Sequence, residues 1–527
     1  MHIPLTPIRC LLRALELYPD KIGVVSGDDR FTYAEFVERC RRMAAGLIGE
    51  GLQAGDRVGF LSFNRNVLLE SYFAVPLAGG VVMPLNVRLH RNELEVILKH
   101  SQPRLVFYEQ DFNPIIESLR RAIPGCRFIS IENSHSWLTL ESLMRANPIP
   151  MPDLMALDET KIAELFYTSG STGRPKGVML SHRSLYLHAL ALAGCLHNSD
   201  NQIILHTIPL FHANGWGFPH FATMCGFKHV MVRRFDPLTV FRLIEEEQAS
   251  FAILVPSMAA SLVACPERTR FDLSSLKHII IGGAAASPEL VAQLEALFPG
   301  CAIMGGYGLT ETSPVVSIAR QKSTMTFSDH EQRRQFAASA GWPSLGVEVR
   351  IIDNAGTDVP RNGTSVGEIV VRGDNVMDGY YLEPDLSRDA IVDGWLRTGD
   401  MAVWNDERCV KVVDRKNDVI ISGGENIASI EVEHAIQAHP EVVECAVVAA
   451  PDPRWGEVPV AIVVTGDNST ITEAQLLEWV GKQVARFKLP KQFVLQKEPL
   501  PKGGTGKVLK YQLREQFWKG KEKRIQG

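Results

Sequence analysis

A chain of 527 residues is too long for one hydrophobic core, so at least two domains are expected. Apolar residues make up 45%, charged residues 22%, and the formal net charge is -5, a composition that gives no global field for nucleic acid or a membrane surface. Nine cysteines without a C-x-x-C pair argue against a disulfide framework or a zinc ribbon, and suit a cytoplasmic setting.

In chain order, Arg9, Arg13 and Glu16 among leucines predict an amphipathic helix rather than a signal peptide. The uncharged run Ser71 to Val87 is broken by Gly79, Gly80 and Pro84, so no transmembrane segment is expected. Strands are expected near Arg57 to Phe60, Arg104 to Tyr108 and Phe251 to Val255. The mostly apolar run Ile162 to Phe166 predicts a buried strand leading into Tyr167 to Val178. That stretch gathers the hydroxyls of Thr168, Ser169, Ser171 and Thr172, the glycines 170, 173 and 177, and the cations Arg174 and Lys176. Glycines let backbone N–H groups turn toward an anion, and hydroxyls and cations complete the cradle of a polyphosphate site. It is not a Walker loop, because Pro175 and not glycine precedes Lys176.

Further on, Leu276 to Ile281 predicts a strand broken by Gly282 and Gly283, then a helix with Ser287 as N-cap and Pro288 in its first turn. Ala302 to Met304 begins a further strand, which Gly305 and Gly306 are expected to break. Two facing glycine turns at the same ends of neighbouring strands suggest a ligand site between them. Past Asp414 the texture changes to short strands and helices over roughly one hundred residues, an ordinary size for a small domain. The fold class expected is therefore α/β: a large N-terminal multi-sheet body, residues 1–413, a hinge at 414–417, and a small mobile C-terminal α+β domain, 418–527.

The loop Thr168 to Lys176 resembles the phosphate-binding signature of the acyl-activating, adenylate-forming enzymes, which include acyl- and aryl-CoA ligases, peptide-synthetase adenylation domains and beetle luciferases. The resemblance continues in family order through Gly305 to Thr312, Trp395 to Asp400, Asp414 to Lys416, Ser422 to Asn426 and Pro501 to Lys507. It implies an AMP-forming acyl-CoA ligase with ATP, Mg²⁺ and coenzyme A as cofactors. Its partners would be small molecules, a carboxylic acid among them, with no nucleic acid, and a homodimer is compatible with it.

In that reading Thr168, Ser169, Gly170, Ser171, Thr172, Gly173 and Lys176 hold the β- and γ-phosphates, and Glu311 with Thr168 holds Mg²⁺. Tyr307, flanked by Gly306, Gly308 and Thr310, offers a face for adenine, and Gly283, Ala284 and Ala285 a flat backbone wall. Asp400 can accept both ribose hydroxyls, and Arg415 can donate to sugar or phosphate. Lys507, after Gly503 to Gly506, is the residue expected to bridge carboxylate and α-phosphate, with Lys502 and Lys510 as ordinary lysines of a basic, frayed end. Ser422, Gly423, Gly424 and Glu425 resemble the loop lining a pantetheine tunnel, with Arg454 as a further coenzyme A contact.

The acid pocket is expected from Phe211 to Gly217, with Trp216 as a wall, His212 as a gate that is also a catalytic candidate, and Gly282 and Gly306 beside the substrate. Amino-acid-activating relatives carry an aspartate close to this segment, whereas here the next one is Asp236, so a medium- or long-chain fatty or similar apolar acid is expected. Asn417 stands where many relatives have Asp or Lys at the hinge. Alternatives are an adenylation enzyme that loads a carrier protein and a catalytically inactive nucleotide-binding scaffold.

Overall fold

The computed structural model describes residues 2–132, 139–169, 175–196, 199–423, 425–466, 469–502 and 508–519. Two large sheets carry the body. The first has nine strands, with a parallel centre formed by 302–308, 278–281, 251–254, 203–206, 228–231 and 22–26, and antiparallel strands at both edges. The second has seven, of which 162–169, 81–84, 57–61, 105–108 and 127–130 are parallel, while 175–181 and 379–380 run antiparallel at one edge. Such parallel strands must be covered on both faces, and they read accordingly as short apolar runs. Helix Asn66–Leu77 is buried on every side and shares one core with residues of both sheets. The N-terminal amphipathic helix is present as Ile8–Leu17, with Ile8, Cys10, Leu11 and Ala14 inward.

The β–α–β unit after Leu276 forms as expected. Strand His278–Ile281 pairs in parallel with Ala302–Gly308, and between them Ser287 caps helix Pro288–Leu297 by accepting from the Leu290 amide. One expectation is corrected. Gly305 and Gly306 do not break their strand, which runs on to Gly308 and turns into antiparallel pairing with Val315–Ile318. The glycines are needed for close approach instead: a Cβ at Gly305 would strike the Ser339 carbonyl, and one at Gly308 the Pro314 carbonyl.

A five-stranded antiparallel sheet follows, built from 347–352, 367–373, 391–392, 395–404 and 410–415. Its last strand ends at Arg415, residues 416–418 form a turn, and a second five-stranded sheet begins at Ile420. That sheet, helices Ser429–Gln437 and Glu473–Gly481, and a core around Ile420, Val432, Ile436, Val447 and Val463 make a unit with its own interior. No described helix is long and apolar enough to cross a membrane.

The C-terminal end also differs from expectation. Lys510–Trp518 is a helix that packs Leu513 and Phe517 against Val448 and Ile462 of the small sheet. Lys510 is not a frayed-end lysine: its ammonium sits 2.8 Å from Glu433 and donates to the Ser429 hydroxyl at 2.6 Å. Lys502 likewise pairs with Glu444 at 2.6 Å. Burial pulls the Lys510 ammonium down, but Glu433, Asp414 and Asp418 around it more than offset this, and its pKa stands above the usual lysine value. Removing one partner of such a pair leaves a buried charge uncompensated, so Lys510→Met is expected to destabilise the small domain by about 3 kcal/mol. Urea unfolding of the full chain checks this, and an unchanged midpoint would show that the pair contributes nothing.

Candidate active site

The phosphate-loop candidate joins two paired strands. Strands Ile162–Ser169 and Pro175–Ser181 pair so that Thr168 stands opposite Lys176 and Tyr167 opposite Gly177. Gly170, Ser171, Thr172 and Gly173 lie outside the described residues, as do Gly424, Lys507 and the side chain of Ser169. The neighbouring strand Gly379–Tyr380 pairs with 178–179 and brings in a residue that the sequence motifs did not single out. The Lys176 ammonium is 5.4 Å from the centre of the Tyr380 ring, and the Tyr380 hydroxyl donates to Glu311 Oε1 at 2.9 Å. Burial, and then the Glu311 carboxylate, push the Tyr380 hydroxyl up, so it stays a donor at neutral pH. One aromatic ring thus ties the cation of the hairpin to the carboxylate proposed for the metal.

Thr310 is buried in the short turn Thr310–Thr312, and the Asn375 side chain donates to the Thr312 carbonyl at 2.8 Å. Among the described residues no group of three or more His, Cys, Asp or Glu side chains is placed to hold a metal ion. The single carboxylate of Glu311, with Thr168, fits Mg²⁺, which keeps several waters and draws further ligands from phosphates.

Asp400 is 3% exposed and held from two sides. The Tyr307 hydroxyl donates to Oδ2 at 2.7 Å, and Arg415 Nε lies 2.7 Å from Oδ1. Asp400 and Arg415 are register partners on adjacent strands, so two residues expected at the nucleotide are paired with each other. Burial and the Asp400 charge raise the Tyr307 pKa well above its usual value. The result is an aromatic face beside a carboxylate and a guanidinium, a set that can stack on a base and accept from vicinal hydroxyls.

Residues 213–217 take an unusual conformation. Ala213, Asn214, Gly215, Trp216 and Gly217 all have positive φ, at 45°, 41°, 54°, 64° and 78°. For a non-glycine residue this region costs about 1–2 kcal/mol. The turn places the buried Trp216 ring against the backbone of Gly282: a Cβ there would lie 2.7 Å from the ring and 2.6 Å from the Gly306 carbonyl. Trp216, Gly282 and Gly306 therefore converge. The His212 carbonyl accepts from the Gly215 amide at 3.1 Å, and its half-buried side chain precedes the turn. Gly283 has φ 76°, Ala284 is exposed and Ala285 half-buried, and together they lead to the cap at Ser287.

In the small domain, strands Ile420–Ser422 and Glu425–Ile427 form a hairpin. Gly423, with φ 59°, donates its amide to the Trp455 carbonyl at 2.8 Å, and a Cβ there would lie 2.6 Å from the Trp455 ring. Arg454 stacks over that ring at 4.6 Å, so the two segments expected to meet coenzyme A adjoin each other.

Comparison with known proteins accords with this arrangement. A model described as "AMP-binding enzyme" matches residues 11–381, and one described as "AMP-binding enzyme C-terminal domain" matches 431–507. A long-chain-fatty-acid–CoA ligase of Thermus thermophilus is 36% identical over 93% of this chain and 90% of its own length. A feruloyl-CoA synthase of an Amycolatopsis species is 36% identical over 96% and 98%. Among solved structures, ATP-bound MatB of Rhodopseudomonas palustris superposes with a TM-score of 0.86 at 28% identity, covering 97% of this chain and 99% of that one. The two-part fold and the site together define an adenylate-forming enzyme. The chain belongs to the AMP-binding enzyme family; it is an AMP-forming acid–thiol ligase using ATP, coenzyme A and Mg²⁺.

Tyr380→Phe removes the hydroxyl that steadies Glu311. A hydrogen bond to a charged group contributes about 1.5–3 kcal/mol, so the KM for ATP is expected to rise by roughly tenfold or more. Titrating Mg²⁺ should recover part of the loss. An unaltered ATP dependence would mean that Glu311 keeps its position without this contact.

Proposed function

We propose that this ligase activates a medium- or long-chain fatty acid or a similar apolar monocarboxylate, and that the convergence of Trp216, Gly282 and Gly306 forms the wall of the pocket receiving it. The buried Trp216 ring supports an apolar guest, as does the lack of any aspartate from Phe211 to Phe235 that could pair an α-amino group. The relatives' names, long-chain fatty acid in one and feruloyl in another, support an apolar body while leaving its shape to experiment.

The residue roles follow from the chemistry. A carboxylate is a poor electrophile, and ATP converts it to a mixed anhydride with AMP as pyrophosphate departs. The hairpin residues Thr168 and Lys176, with 169–173 between, hold the β- and γ-phosphates. Glu311 and Thr168 are the residues that hold Mg²⁺, which when bound neutralises charge on the departing pyrophosphate. Tyr307 stacks on adenine, with Gly283, Ala284 and Ala285 across from it, while Asp400 and Arg415 receive the ribose. Lys507 bridges the carboxylate and the α-phosphate during adenylation. His212 gates the acid entrance. The coenzyme A thiol then attacks the acyl carbonyl, with AMP as leaving group, along a path lined by Ser422, Gly423, Gly424, Glu425 and Arg454.

The hinge at 414–417 lets one small domain serve both steps. Its setting supports this: the body's antiparallel sheet ends at Arg415, and Arg514 of the C-terminal helix donates to the Asn417 carbonyl at 2.9 Å and reaches Asp418 at 3.1 Å. A cytoplasmic location accords with nine free cysteines.

The reading is tested with a panel of aliphatic and aromatic acids, assayed for AMP release with coenzyme A present. The highest kcat/KM is expected for an aliphatic acid of medium or long chain, and a preference for benzoate-like acids would overturn the substrate assignment. Lys507→Ala is expected to lose acid-dependent pyrophosphate exchange by several orders of magnitude while still converting supplied acyl-adenylate to thioester. Equal loss of both half-reactions would remove Lys507 from its adenylation role.

A further inference from the structure

The family motifs leave one buried carboxyl unexplained. Glu164 lies on the strand that leads to the phosphate hairpin, with its side chain fully buried. Its Oε2 accepts from Asn214 Nδ2 at 2.9 Å. Its Oε1 faces His220 Nε2 at 3.3 Å, and these two atoms are otherwise buried without a hydrogen-bond partner. Tyr72 approaches from helix Asn66–Leu77, but its hydroxyl is committed to the Leu210 carbonyl at 2.6 Å. Burial lifts the Glu164 carboxyl to about 8 despite the Asn214 hydrogen bond, and burial lowers His220 to about 3. A protonated acid meets both neighbours: its carbonyl oxygen takes the Asn214 amide and its hydroxyl can donate to the His220 ring.

Asn214 is the centre of the left-handed turn. Its Oδ1 accepts from the Gly217 amide and its Nδ2 reaches Glu164, so one amide side chain clamps the turn to the hairpin strand. Ala213 and Trp216 stand at positive φ on either side, in a conformation that persists only where surrounding structure imposes it. We propose that Glu164, through Asn214, is a positioning residue that fixes this turn, presents Trp216 to Gly282 and so governs which carboxylic acids the enzyme accepts. The inference rests on the reading of Trp216 as a wall of the acid pocket. It adds that the wall is held from beneath by the strand that also delivers Thr168, so acid selection and phosphate binding hang on one β-strand.

Three variants of the full-length enzyme test it: Glu164→Leu, Glu164→Gln and Trp216→Gly, assayed against the acid panel, with AMP affinity from calorimetry. Glu164→Leu keeps the volume and loses both hydrogen-bonding atoms. It is expected to raise the KM for the preferred acid at least tenfold and to reorder the acids in the same sense as Trp216→Gly, with AMP affinity within twofold of the parent. Glu164→Gln keeps an acceptor for Asn214 and a donor for His220, and should return the acid KM to within about threefold. Should Glu164→Leu not fold, Asn214→Gly cuts the same link at a position where glycine accepts the backbone angle, and the same reordering is expected. An acid ranking untouched in Glu164→Leu or Asn214→Gly while Trp216→Gly changes it overturns the inference and leaves the pocket reading standing. Glutamine no better than leucine also overturns it. An unchanged ranking in Trp216→Gly overturns the pocket reading, and this inference with it.

Discussion

A carboxylate removed from water must be paired, and the pairing of Asp400 is what brings the parts of this molecule to one place. Tyr307 reaches it from the end of the large parallel sheet, and Arg415 from the last strand before the small domain. Tyr307, 93 residues before Asp400 in the chain, is thereby set against two consecutive strands around one buried charge. The glycines at 305 and 308 allow it, because the strand carrying Tyr307 passes so close to the Ser339 and Pro314 carbonyls that no Cβ fits. The same close approach recurs at Gly282 against Trp216 and at Gly423 against Trp455. Each is a place where a missing side chain brings two elements into contact and leaves a shaped surface beside them.

Much of this was legible in the sequence, for a definable reason. The nucleotide and coenzyme A candidates come in short runs, such as Gly305 to Thr312 and Ser422 to Glu425, where spacing and glycine content mark a turn or close approach without knowledge of the rest of the fold. Parallel strands were legible as short apolar runs bounded by glycine, although glycine proved ambiguous at 305 and 306, where it serves packing inside a strand rather than a break. Tyr380 and Glu164 were not legible. Tyr380 meets Glu311 across 69 residues and Glu164 meets Asn214 across 50, and neither sits in a run whose composition points to its partner. A glutamate among Ala163, Leu165 and Phe166 could have been noticed as a charge in a buried strand, but its partner could only come from the fold.

The C-terminal helix illustrates another limit. Its apolar inward residues, Leu513 and Phe517, are set among Lys510, Arg514 and Lys519, so composition suggests a solvated tail. The decisive fact is that Glu433 and Asp414 supply charges that Lys510 answers, and these lie on the small domain's first helix and on the last strand of the body. Charge complementarity over such separations has no sequence signature, and it turns Lys510 from a solubilising surface residue into a half-buried partner of Glu433.

The left-handed turn at 213–217 has a consequence for how this scaffold can be retuned. At positive φ a β-branched side chain is strongly disfavoured, and bulky residues are tolerated only when held. Ala213 and Trp216 therefore occupy positions with a short list of acceptable replacements, whatever acid is to be accommodated. On the proposed reading of Trp216 as a wall of the acid pocket, that wall is the part of the pocket least open to substitution.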